Sequence, residues 1–173
     1  MSTTLYEATV ARFEQTLTAT AGFLAKGREH FESEGVVLDD IVESRLHPDM
    51  APFRFQVVST VHHSAGAVEG AQSGQFAPPP ASDGMDYAAL EQKVQDALAA
   101  VRGMTAETIL SLEDNPLVFT LGEQKIPFRA GNFLLSFSIP NFYFHATTTY
   151  DILRHKGVQV GKRDFLGRLL IGQ

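Results

Sequence analysis

Gln72-Ser73-Gly74-Gln75-Phe76-Ala77-Pro78-Pro79-Pro80-Ala81-Ser82-Asp83-Gly84-Met85-Asp86 divides two long periodic segments of the chain. Gly and Ser open it, three consecutive prolines stiffen it, and no apolar period runs through it. It therefore reads as a stiff, partly extended loop. Its length is enough to carry the chain from one end of a helical bundle to the other. Both of its flanks read as helix.

Upstream, Tyr6, Val10, Phe13, Leu17, Ala21 and Leu24 recur at steps of three and four. They make one stripe of a first helix from about Thr4 to Glu34, stopped by Gly35. A short turn is expected over Asp39–Ser44. A second helix follows Leu46-His47-Pro48-Asp49-Met50, with Asp49 as expected cap and Pro52 in the first turn. It runs to about Gly70, with Phe53, Val57, Val61, Ala65 and Val68 on its core side. On that wheel His62 falls at the edge of the core face, and His63 points nearly away from it.

Downstream, Asp86 caps a third helix, Tyr87 to Arg102, with Leu90, Val94, Leu98 and Val101 as its stripe. Leu117–Leu121 and Gln124–Phe128 read as a small β-hairpin around Gly122-Glu123, and Pro127 limits the second run to an edge. A fourth helix spans about Ala130 to Lys156, with a kink expected near Ser136, because Pro140 removes a hydrogen bond. The reading is all-α: a four-helix bundle with a long crossover between helices 2 and 3, plus the hairpin before helix 4. One domain covers residues 1–173, and residues 154–173 form a C-terminal tail.

Composition agrees with one globular core. The chain has 173 residues, 44% apolar and 20% charged, with thirteen Phe and no Trp. A formal charge of −6 argues against a general nucleic-acid binder. The basic run Arg154, Lys156, Lys162, Arg163 and Arg168 reads as solvated surface. The absence of Cys removes thiolate chemistry and disulfides. No signal pattern opens the chain and no run approaches the ~18 apolar residues of a membrane span, so a cytoplasmic protein with no membrane partner is expected.

The chemistry concentrates on the fourth helix. Leu134, Phe137, Asn141, His145, Thr148 and Ile152 share one stripe, apolar at its ends and polar in its middle. Polar groups inside such a stripe need partners, or each costs about 1–3 kcal/mol. Asn141, His145 and Thr148 either satisfy one another or line a small site between helices, which His62 would reach from the second helix. His62 with His145 would also begin a zinc or nickel site, although a stable site wants three or four protein ligands.

Leu46-His47-Pro48-Asp49-Met50, Pro140-Asn141-Phe142-Tyr143-Phe144-His145, Leu153-Arg154-His155 and Gly161-Lys162-Arg163-Asp164-Phe165-Leu166-Gly167 resemble a domain-of-unknown-function family within the DinB/YfiT-like helical bundles. The likeness covers essentially the whole chain. It implies the same bundle with its long crossover, and frequently a homodimer. DinB-like relatives often hold a divalent metal through one His on the second helix and two His four apart on the fourth. His62 and His145 stand at two such positions. Thr149 lies four residues after His145 and Asn141 four before it, so the triad is incomplete. Three expectations follow: a small-molecule-binding bundle, a divalent-metal-dependent hydrolase or transferase, or a non-catalytic interaction protein. In the third, the apolar tail Phe165, Leu166, Leu169, Leu170 and Ile171 would pack on a partner.

Overall fold

The computed structural model describes residues 3–169 and 171. The chain is mostly helical, with a small three-stranded sheet. A capping box between Thr4 and Glu7 starts a single turn, Leu5–Ala8, that leads into α1, Val10–Ser33. Between the two, Thr9 leaves helical geometry and donates its hydroxyl to the Leu5 carbonyl at 2.6 Å. Gly35, at φ +67°, turns the chain out of the helix, as the sequence predicts.

After a short helical turn at Leu38–Val42, α2 comprises Phe53–Val61, a π turn at His62–Gly66, and Ala67–Ser73. The expected cap at Asp49 is not used. Pro52 occupies the cap position without a side-chain hydrogen bond, and Asp49 pairs with His47 instead. The third helix, α3, spans Tyr87–Arg102, and Asp86 caps it by accepting from Ala89 N at 2.7 Å. A further short helix, Ala106–Ser111, was not legible in the sequence.

The fourth long helix, α4, comprises Ala130–Phe133, a π turn at Leu134–Ser138, and Ile139–His155. The disturbance expected from Pro140 takes the form of this π turn. Widening the helix by one residue is a recognised way to absorb a missing amide.

The four long helices pack in a ring: α1 on α3, α3 on α2, α2 on α4, and α4 on α1. Phe13, Phe23, Phe53, Phe133, Phe142 and Tyr87 are all buried between them. Each such side chain contributes about 1.5–3 kcal/mol through the apolar area it removes from water. Gly27 lets α1 approach α3 closely, and the Tyr87 hydroxyl there donates to the Leu24 carbonyl at 2.8 Å.

The hairpin is present as β2, Pro116–Leu121, and β3, Gln124–Arg129, in antiparallel register Phe119↔Ile126. The proline-rich crossover is not loop throughout. It opens with a two-residue strand, β1, Gln75–Phe76, paired parallel to β2. Phe76 and Phe119 from the sheet meet Phe133 and Phe137 of α4 in one aromatic cluster. That cluster anchors the crossover over the middle of α2.

In the tail, Lys162–Leu166 forms a helical turn against α1. Lys26 pairs with Asp164 at 2.5 Å, Gln15 donates to the Leu166 carbonyl at 2.8 Å, and Phe165 packs edge-on to Tyr150. Leu169 and Ile171 are exposed, and Leu170 lies outside the described residues. Among the described residues no helix is long and apolar enough to cross a membrane.

Candidate functional site

The side of α2 that faces α4 is polar. Gln56, Thr60, His63 and Ala67 fall at helical spacing and are all buried. Thr60 hydrogen-bonds back to the Gln56 carbonyl. His63, expected to point outward, therefore lies inside. The wheel was set by the apolar stripe that packs toward α3, whereas α2 buries a second face. The π turn then shifts the phase of every residue after Val61.

Ser138, on the π turn of α4, donates to the His63 carbonyl at 2.8 Å and ties the two π turns together. The His63 ring lies nearly parallel to His145, 12° between planes and 5.9 Å between centroids. Phe76 and Phe137 enclose it at 5.5 and 5.6 Å. Phe55 and Phe144 stand edge-on to His145.

The hydrogen bonds assign the tautomer of His145. Gln56 donates Nε2 to the Ala51 carbonyl at 3.0 Å, which turns its Oε1 toward His145 Nδ1 at 2.8 Å. An amide oxygen only accepts, so Nδ1 carries the proton and Nε2 keeps a lone pair. Burial pushes His145 down to about 4. Burial, with His62 and His145 nearby, pushes His63 down to about 3. Both rings are therefore neutral near pH 7.

Three buried side-chain polar atoms among the described residues have no partner: Arg12 Nε, Ser59 Oγ and His63 Nδ1. Two of the three lie on α2, with Ser59 one turn before His63, and His63 Nδ1 belongs to the ring that faces His145. A buried nitrogen without a partner costs on the order of 1–3 kcal/mol.

The other expected site residues fall as follows. Asn141 is half-buried and donates to the Phe137 carbonyl at 2.7 Å, so its Oδ1 remains as acceptor. Thr148 is buried and donates to the Phe144 carbonyl. His62 does not meet His145. It stacks on Phe76 at 4.3 Å and donates Nε2–H to the Ala77 carbonyl at 2.7 Å, on the other side of α2. His63 holds the place expected of His62, and Gln56 was missed altogether. The signal available was the seven-residue interval from Gln56 to His63, two turns of helix, with Thr60 between.

These donors supply part of the metal set that the resemblance implies. His63 and His145 face one another, and His145 has the Nδ1–H to acceptor bond typical of metal-binding histidines. The third position fails. Thr149 is buried with its hydroxyl on the His145 carbonyl at 2.9 Å, and Asn141 donates along its own helix. Among the described residues no three His, Cys, Asp or Glu side chains gather as a cation would require. The residues do not fit a DinB-type metal site.

Comparison with known proteins agrees with this architecture. The model of the family "Domain of unknown function (DUF1993)" matches residues 5–166, and the chain belongs to that family. A crystal structure of a DinB family member protein from Shewanella denitrificans superposes with a TM-score of 0.80 at 26% identity, covering 98% of this chain and 95% of that one. No curated protein matches significantly.

Proposed function

We propose that this DUF1993 chain is a DinB-type four-helix bundle, with the long crossover between α2 and α3, that binds a small uncharged molecule at the polar seam between α2 and α4. The observation that carries the reading is the buried, unpartnered His63 Nδ1 beside a neutral His145 whose Nε2 lone pair is left free by Gln56. His145 Nε2 accepts a ligand O–H or N–H, His63 Nδ1 supplies the second contact, and Asn141 Oδ1 the third. Phe55, Phe137 and Phe144 give the seam aromatic edges suited to a flat ligand. A charged ligand gains little, because both imidazoles are neutral.

Phenol tests the reading, as a flat, uncharged O–H donor, with benzoate and benzylamine as charged controls. Nuclear magnetic resonance titration of tag-free protein should move the His63 and His145 ring signals with phenol, and far less with either control. No movement with phenol, or equal movement with all three, defeats the reading. The protein is also read as a cytoplasmic homodimer, with Leu135, exposed on α4, as apolar surface for a second copy to cover.

A further inference from the structure

A concave site lies on the opposite side of α2, between α2 and α3, under Pro80 of the crossover. It is a groove of about 280 Å³. Its floor is apolar, formed by Val58, Val61, Ala65 and Ala97, and its rim carries His62, Glu69, Lys93 and Asp96. It shares no residue with the His63–His145 seam and does not rest on the reading of that seam.

His62 is held in one orientation here. Its ring stacks on Phe76, and its Nε2–H donates to the Ala77 carbonyl. A neutral imidazole has one N–H, so Nδ1 keeps a lone pair. Burial holds His62 below its ordinary value, against the opposing effects of the Ala77 carbonyl and Glu69, so the neutral form dominates near pH 7. Gly66 keeps that nitrogen uncovered, since a Cβ at Gly66 would lie 3.2 Å from Nδ1. Glycine is not required there by the backbone, whose φ of −61° suits any residue. The missing side chain leaves space over the lone pair instead.

The rim has mixed charge. Glu69 and Asp96 are carboxylates and Lys93 is an ammonium, and among the described residues none of the three makes a salt bridge. Asp96 accepts one hydrogen bond, from Gln92 Nε2 at 2.8 Å. A ligand that complements the whole rim brings donors to His62 Nδ1 and the two carboxylates, an acceptor to Lys93, and an apolar segment to the floor. We propose that this groove binds a small zwitterion of the α-amino-acid class with a branched aliphatic side chain. The ammonium group faces His62, Glu69 and Asp96, the carboxylate faces Lys93, and the side chain lies on Val58, Val61, Ala65 and Ala97.

The probes are L-leucine, isoamylamine, which lacks the carboxylate, and 4-methylpentanoate, which lacks the ammonium group. Each is titrated into 15N-labelled full-length protein at pH 7, following backbone amides around the groove. Leucine should give saturable shifts at Val58, Ala97 and Ala100, and each half-probe should bind at least about tenfold more weakly, ~1.4 kcal/mol. Gly66→Ala, which covers Nδ1, should weaken leucine at least about tenfold. Lys93→Gln should do the same and should remove its preference over isoamylamine. Lys93 lies at the groove rim, so this variant serves if Gly66→Ala disturbs the π turn. No saturable shift with leucine overturns the proposal. So does isoamylamine binding as tightly as leucine, or leucine affinity unchanged by Lys93→Gln.

Discussion

Lowering the pH from 7 to 5 should destabilise this protein through its seam histidines. In the folded chain His63 titrates near 3 and His145 near 4, while an unfolded histidine titrates near 6.5. A depressed histidine is neutral in the native state, so its contribution is complete above about pH 6.5. As the pH falls, the unfolded chain binds the proton and the folded chain does not, and stability declines until the folded values are reached. Between pH 7 and 5 each ring forfeits about 2 kcal/mol, a figure set by the unfolded value and the pH interval alone. Allowing for the partly exposed edge of His145, the pair should account for about 3 kcal/mol. That is a large share of the 5–15 kcal/mol by which domains are typically stable. His62 shifts in the same direction and steepens the slope. Glu7 and Asp164, whose carboxyls are held low by hydrogen bonds from Thr4 and Lys26, weaken stability only at more acid pH. Urea unfolding at pH 8, 7, 6 and 5, followed by circular dichroism, measures the slope. His145→Leu should remove roughly half of the pair's share. A flat stability from pH 8 to 5, or a variant with the parent's slope, would mean that these imidazoles are not held neutral by the fold.

At pH 7, His145→Leu should lose about 1–3 kcal/mol in urea unfolding, because it strands the Gln56 oxygen in the seam. The double change Gln56→Leu with His145→Leu should recover part of that loss in the same assay, since it also removes the Gln56 bond to the Ala51 carbonyl. Tag-free protein purified without chelators should carry well under one equivalent of zinc or nickel by elemental analysis, since two imidazoles rarely hold an ion through purification. Truncation after Gly161 should lower the melting temperature, because it removes Phe165 from Tyr150 and Asp164 from Lys26. An unchanged melting curve would mean that these contacts contribute nothing.

The helical elements were legible because each long helix writes its apolar stripe in steps of three and four. The span Tyr87–Arg102 matches the expected helix at both ends, and each strand of the hairpin around Gly122 is one residue longer than expected. The site was legible in part. His145 and Asn141 stood out as polar residues in an otherwise apolar stripe. His63 did not, because a wheel built from apolar residues finds only the α2 face that packs on α3. The second face is buried through Gln56, Thr60 and His63, whose polarity reads as surface until a partner helix is known. The two π turns also escape a 100° wheel, because the extra residue leaves no compositional mark beyond Pro140. Strand β1 is two residues long and owes its existence to β2, which no local pattern reveals.

His63 and His145 form one neutral, partly unsatisfied pair facing each other across α2 and α4. Long-range 1H–15N spectra of the histidine rings at pH 7 test it most directly, since they report protonation and tautomer nitrogen by nitrogen. Two neutral rings are expected, with His145 protonated on Nδ1 and Nε2 bare, and phenol shifting that Nε2 resonance. A protonated ring at either position, or His145 carrying its proton on Nε2, would contradict it.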